Sequence, residues 1–177
     1  MKENDVSHDG WSVDDFYRAV VIADSGDLRW STVVGWEYAR GELVAQDLKE
    51  AEKYMRKAAS AHDVEVLFEV GKFGALYGID DLVACLSTCF QRKYPPAGYV
   101  LAVNLIRKNH DESSDINGYL SDSAALDHIP SQMLLRRRFG SRTTVLRKIL
   151  LTALNIISAI RLVYISFINP KSLSIKI

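Results

Sequence analysis

The residues of this sequence that could take part in chemistry are few: four histidines and two cysteines among 177 residues. His62 and His128 each follow shortly after an Ala-Ala pair, at the expected corners of separate helix pairs. A shared metal site would need these two corners to meet. A helix C-terminus also favours a partly cationic imidazole, so we interpret both histidines as capping or turn-packing residues.

Two other groups could hold a metal. Cys85 and Cys89 lie one helical turn apart and could supply two ligands of a zinc site. No second Cys or Cys-His pair stands at a suitable spacing, so buried packing is favoured. The acidic run His110-Asp111-Glu112, with Asp115, lacks the glycine and the regular spacing of a calcium loop. It is interpreted as a solvated loop.

No nucleotide-binding, serine-hydrolase or zinc-protease motif occurs in the sequence. We therefore predict a protein that is not an enzyme, with no catalytic residue, metal or cofactor. The alternative is a metal-dependent enzyme on a helical fold, which would need a pocket joining residues such as His62, Cys85, Cys89 or His110.

Composition narrows the class further. Hydrophobic residues make up 48% of the chain, enough for a core, and the formal net charge is zero, so no global field favours nucleic acid. The cysteine spacing does not suggest a disulfide framework and favours a reducing compartment. The first residues, MKENDVSHDGW, are polar and predict no cleavable signal peptide at this point.

The elements that would position these residues are helices. Ser12 and Asp15 predict a capping box for a first helix, which we interpret as an N-terminal half-repeat. Asp27 predicts the start of a second helix, and Gly41 its end. Asp47, three residues before Glu50, predicts the start of a third.

The stretch from 30 to 59 resembles the Sel-one-like repeat, a relative of the tetratricopeptide repeat. The matching positions are Val34, Gly35, Tyr38, Gly41, Asp47, Ala51, Tyr54, Lys57, Ala58 and Ala59. The chain departs from the family pattern at Trp30, where Ala is usual, and at His62, where Gly is usual. The resemblance implies a solenoid of helix pairs that binds other proteins and carries no chemistry of its own.

Equivalent positions at Trp30, Val66, Ala97 and Ser131 are 36, 31 and 34 residues apart, which indicates an array of helix pairs. We predict an all-α fold, a short α-solenoid of antiparallel helix pairs followed by a hydrophobic C-terminal helix. The predicted organisation is a flexible N-terminus (1–11), a repeat domain (12–140), a basic linker (141–148), a transmembrane helix (149–168) and a short tail (169–177).

The predicted function is that of a scaffold or adaptor that binds a protein or peptide. Trp36, Glu37 and Arg40 are expected near the exposed face of the first full repeat, where an aromatic side chain can anchor an interface. The rougher equivalents in later copies are Lys72, Phe73, Asn104 and Arg107. The alternative for Trp36 is contact with the neighbouring repeat.

The C-terminal region predicts a membrane anchor, because residues 149–168 contain Arg161 as their only formal charge and would span about 30 Å as a helix. Six basic residues precede this run: Arg136, Arg137, Arg138, Arg142, Arg147 and Lys148. Their position favours a membrane surface over nucleic acid.

The bias of basic residues predicts that the repeats lie on the cytoplasmic face, with the N-terminus inside. The compact chain with no predicted signal peptide favours a bacterial inner membrane. Thr152, Ala159 and Ser166 recur every seven residues and suggest weak self-association through this helix. The alternative is a soluble cytoplasmic repeat protein whose C-terminal helix packs on the solenoid.

Overall fold

The computed structural model describes residues 10–108, 114–140 and 152–160, which form helices joined by short connections. The bounds are α1 Val13–Asp24, α2 Leu28–Arg40, α3 Leu48–Ala58, α4 Val64–Tyr77, α5 Asp80–Gln91, α6 Pro95–Arg107, α7 Ser114–Ala125, α8 Ile129–Gly140 and α9 residues 152–160. No strand occurs in these residues. The predicted all-α class, with packed adjacent helix pairs, is therefore confirmed.

Side-chain caps fix several helix starts where the sequence predicts them. The backbone N–H of Asp15 donates to Ser12 Oγ at 3.2 Å, and the backbone N–H of Ser12 donates back to Asp15 Oδ2 at 3.1 Å. Asp27 and Asp47 each accept two backbone N–H groups of the first turn that follows. Gly41 ends α2 in the left-handed region, with φ +73°, a conformation that glycine adopts without steric cost.

The chain divides into two compact units, Met1–Cys85 and Leu86–Ile177. In the first unit, α2 and α3 form a tight antiparallel pair. A Cβ at Gly35 would lie 3.1 Å from Met55 Cε and 3.2 Å from the Ala51 carbonyl oxygen. Helix α1 packs on α2, and α4 packs on both α2 and α3. Helix α2 is thus enclosed by three neighbours.

In the second unit, α6 and α7 form the corresponding pair, and α8 packs on both. Gly98 of α6 lies against α7, where Phe90 and Tyr119 also meet edge to face with their ring centroids 5.0 Å apart. Ala102 of α6 forms a small buried cluster with Ile116 and Leu120 of α7. Each unit therefore contains a helix pair covered by a third helix.

The interpretation of Asp115 as part of a solvated loop is wrong, because α7 already begins at Ser114. Helix α8 begins at Ile129. His128 supplies the reason, because its ring Nδ1 lies 2.8 Å from Ser131 Oγ and accepts the Ser131 backbone N–H at 3.4 Å.

Of the predicted C-terminal helix, 149–168, only residues 152–160 belong to the described chain, and they are helical. Among the residues that the structure describes, no helix is both long enough and apolar enough to span a bilayer. The predicted linker (141–148), the tail (169–177) and the acidic residues His110, Asp111 and Glu112 lie outside the described residues.

Candidate protein-interaction site

Trp36 is the centre of a polar and aromatic cluster that joins α2 to α4. Its indole ring is half-buried and meets Phe73 edge to face, with the ring centroids 5.6 Å apart. Tyr77 lies at 6.5 Å on the same side. The indole Nε1–H donates to Glu69 Oε2 at 2.8 Å. The ring is thereby held in one orientation with part of its surface open to solvent.

Two cations lie over the Trp36 ring. Lys72 Nζ is 5.1 Å from the ring centroid, and Arg40 Cζ is 5.7 Å from it. Both distances are within the range of cation–π attraction, worth about 0.5–1 kcal/mol at exposed sites. The structure therefore places an aromatic surface and two positive charges side by side.

Each cation has a carboxylate partner. Lys72 Nζ lies 2.7 Å from Glu69 Oε2, and Arg40 Nη1 lies 3.4 Å from Glu37 Oε1. The Glu37 side chain is only 1% exposed, while that of Arg40 is 35% exposed. Trp36, Glu37, Arg40, Glu69 and Lys72, here called the Trp36 cluster, thus carry two positive and two negative charges. The cluster has no net charge with which to attract a partner.

The structure brings five of the seven predicted partner-binding residues together, but not all at the surface. Glu37 and Phe73 are 1% exposed and Asn104 is 9% exposed, so the expectation that they lie on an open face is wrong. The physical reason for Glu37 is that α2 is covered on three sides and retains little open surface. Phe73 turns toward the core and supports the Trp36 ring.

Trp36, Arg40 and Lys72 each keep part of their surface exposed. Trp36 also contacts the neighbouring helix pair through Phe73, as the alternative interpretation expected. Arg107 is exposed and belongs to α6 in the second unit. Their role in partner binding stays a prediction.

Sequence reasoning missed Glu69, which accepts from Trp36 and from Lys72 at once. Its position three residues before Lys72 on one helix could have suggested the ion pair. Its bond to Trp36, 33 residues away, could not be found from local spacing.

The described part of the basic region lies on α8. Arg136 Nη1 donates to Ser158 Oγ at 2.7 Å and to the Leu154 carbonyl oxygen at 3.0 Å, which ties α9 to α8. Arg137 is exposed, and Arg138 is partly buried. Arg142, Arg147 and Lys148 lie outside the described residues. Arg136 is therefore engaged within the protein, which the sequence did not predict.

Of the histidines and cysteines considered for a metal site, His128, Cys85 and Cys89 are at least partly buried. Burial lowers the pKa of His128 to about 4, so this imidazole is neutral rather than partly cationic as expected. Its ring packs on the Tyr99 ring, with the two ring centroids 5.7 Å apart. Burial raises the pKa of the half-buried Cys85 thiol, and Cys89 is buried. His62 is exposed at the α3–α4 corner.

A cavity of about 210 Å³ opens in the second unit. Its lining is mostly apolar and consists of Phe90, Lys93, Tyr94, Pro95, Asp122, Ser123, Ala125 and Leu126. None of His62, Cys85 or Cys89 reaches it, so it does not unite the residues that an enzyme would need. Within the described residues, no group of three or more His, Cys, Asp or Glu side chains is placed to hold a metal ion.

The resemblance to the Sel-one-like repeat rests on the matching residues of the sequence alone. Comparison of the chain with protein-family models, with curated proteins and with solved structures finds no match.

Proposed function

We propose that the protein is a non-enzymatic helical-repeat adaptor that binds a partner protein or peptide, as the resemblance to the Sel-one-like repeat implies. The observation that carries this proposal is the Trp36 cluster. An aromatic ring is fixed by Phe73 and Glu69, remains partly open, and is bordered by Arg40 and Lys72. Tryptophan and arginine are over-represented among residues that dominate binding energy.

The cluster suits a partner that offers an apolar side chain to Trp36 and a polar group to its rim. The ring is preorganised, so binding would not have to order it. Arg40 is the more exposed of the two cations, and its guanidinium has donors left for a partner's acceptor while it stays beside the buried Glu37 carboxylate.

The test is photo-crosslinking in native membranes with the full chain, using a photoreactive residue at Val33, which is partly exposed one helical turn before Trp36, followed by identification of what is captured. A single partner should be captured and should be lost in Trp36→Ala. Lys53→Ala is the matched control, because Lys53 is 67% exposed on α3 and contacts Glu50 and the Tyr54 ring on its own helix. Thermal unfolding of each variant separates loss of binding from loss of the fold.

Capture that is equally strong in Trp36→Ala and in the wild type would show that this surface is the wrong choice. Capture lost equally in Lys53→Ala would do the same, because the effect would then not be specific to the cluster.

We further propose that residues 149–168 tether the adaptor to the cytoplasmic face of a membrane. Sequence supports this: twelve of these residues are Leu, Ile, Val or Phe. On the biological insertion scale each contributes about −0.3 to −0.6 kcal/mol, against about +2.5 to +3.5 kcal/mol for Arg161. Within the described part, Ile156, Ile157 and Ile160 are 57–64% exposed.

The bonds of Arg136 to Leu154 and Ser158 favour the alternative, in which this helix packs on the repeats. Carbonate extraction of membranes distinguishes a membrane tether from a helix that packs on the repeats. A tether keeps the full chain in the pellet, while a chain ending at Arg142 is released. If Arg136→Ala converts a soluble full chain into a membrane-bound one, the helix is packed in the resting protein and the tether is conditional.

A further inference from the structure

The cavity of about 210 Å³ in the second unit lies between the C-terminal ends of α5 and α7, and it is here called the α5–α7 cavity. Phe90 and Tyr94 line it from the end of α5 and the turn that follows, and Leu126 lines it from the turn after α7. The volume is below the roughly 300–1,000 Å³ of pockets that bind drug-sized ligands. A ligand of this cavity is therefore a small molecule with a compact apolar group.

Two opposite charges stand in this mostly apolar lining, Lys93 after α5 and Asp122 on α7. Both residues are exposed, and neither side chain forms an ion pair with another residue of the described chain. Ser123, which is completely buried, also lines the cavity, and its hydroxyl has no hydrogen-bond partner among the described residues. A polar group that is buried without a partner costs free energy, which a ligand that bonds to it recovers.

The backbone of Lys93 lies in the left-handed region, with φ +61°. Its N–H donates to the Phe90 carbonyl oxygen at 2.9 Å, which closes the end of α5. Helices α2 and α4 end with Gly41 and Gly78 in the same conformation, as is usual because a side chain there is sterically unfavourable. A lysine at this position destabilises the turn, which indicates that its ammonium group serves a purpose outside the turn.

We propose that the α5–α7 cavity binds a small zwitterion with an apolar side chain, a free amino acid of the leucine type. The ligand's carboxylate pairs with Lys93 and its ammonium group pairs with Asp122. The apolar side chain enters the cavity among Phe90, Tyr94 and Leu126. A ligand with a single charge would leave one of the two lining charges without a partner, so the zwitterion is the chemistry that the cavity matches best.

The test is an NMR titration of the isotope-labelled full chain, in detergent micelles, with L-leucine. Because the ligand is small, we expect a Kd of about 0.1–1 mM. Two analogues lack one charge each: 3-methylbutylamine lacks the carboxylate, and 4-methylpentanoate lacks the ammonium group. Each should bind about three- to tenfold more weakly than leucine. The outcome is independent of the proposed adaptor function, because the cavity and the Trp36 cluster belong to different units.

Three variants test the assignment of the charges. Lys93→Gly should weaken leucine binding about three- to tenfold and at the same time raise Tm, because glycine relieves the left-handed backbone. A lysine with a purely structural role would not give this combination. Asp122→Asn should weaken binding to a similar extent. Asp127→Gly is the matched control, because Asp127 has the same backbone conformation after α7, with φ +62°, but does not line the cavity.

A chain whose spectrum does not change at about 10 mM leucine overturns the proposal. So does Lys93→Gly or Asp122→Asn that binds leucine as the wild type does, or Asp127→Gly that loses binding equally, since the effect would then not depend on the cavity charges. An amine or a carboxylate that binds as tightly as leucine overturns the assignment to a zwitterion.

Discussion

Gly98→Ala should destabilise the protein, although the same substitution in an open helix is stabilising. Gly98 lies inside α6, where replacing glycine by alanine gains about 1 kcal/mol from helix propensity. A Cβ there would stand 2.1 Å from Ser123 Oγ, 2.8 Å from the Tyr119 carbonyl oxygen and 2.9 Å from Phe90 Cε2. Two of these neighbours belong to α7, and its backbone cannot retreat without opening the helix pair.

The magnitude follows from these opposing terms. Overpacking costs about 1–3 kcal/mol, and contacts this short place Gly98 at the upper end. The net loss is then about 2 kcal/mol, or roughly 4–8 °C in Tm for a chain of this length. Gly118→Ala is the control, since a Cβ at Gly118, inside α7, meets nothing within 4 Å. It should raise the free energy of unfolding by about 0.5–1 kcal/mol.

Thermal and urea unfolding of both variants provides the measurement. Ser123→Ala in the Gly98→Ala background should recover part of the loss. It removes the nearest atom, a buried hydroxyl that has no hydrogen-bond partner among the residues that the structure describes. If Gly98→Ala were as stabilising as Gly118→Ala, α6 and α7 could not approach each other as described.

Two further predictions concern single interactions. His128 has its pKa lowered to about 4 from an ordinary 6.5, so the unfolded state binds more protons between these values and stability should fall as pH drops from 6.5 to 4. After allowance for the partial exposure of the ring, the free energy of unfolding should fall by about 2 kcal/mol. His128→Asn, which keeps a side chain that can cap α8, should abolish this pH dependence in urea titrations. For the Trp36–Glu69 bond, a double-mutant cycle of Trp36→Phe and Glu69→Ala, which removes the donor and the acceptor in turn, should give a coupling of about 1 kcal/mol. A coupling near zero would show that the bond adds nothing to stability.

The helix starts and the first helix pair could be predicted because their signals are local. Ser12, Asp27 and Asp47 bond to backbone groups within three residues, and Gly41 adopts a conformation that few other residues tolerate. Gly35 permits the close contact of α2 with α3, as its place in the repeat pattern implies. These features depend on the nearest turn or the nearest helix alone.

The candidate site could be predicted only in part, because its exposure depends on packing between helices. Glu37 was expected near the exposed face of the first full repeat from its register on the helix, but the neighbours of α2 enclose it and Arg40 balances its charge. Phe73 was placed on the open face by register alone. The division into two units falls within α5, after Cys85, where no change in composition marks it.

The charge balance of the Trp36 cluster also limits how a partner would bind there. Arg40 and Lys72 already face Glu37 and Glu69, so an acidic partner gains one ion pair only by weakening another. Glu37 is almost completely buried, and the Lys72 and Glu69 side chains are only 19% and 26% exposed. Drawing either cation away therefore costs more than the roughly 0–1 kcal/mol that a new surface ion pair returns. Apolar contact with Trp36 would then supply most of the affinity. We therefore expect capture of the partner to change less than about threefold between 50 mM and 500 mM salt. A tenfold loss would show that net charge outside the cluster drives binding, and that the surface has been assigned to the wrong residues.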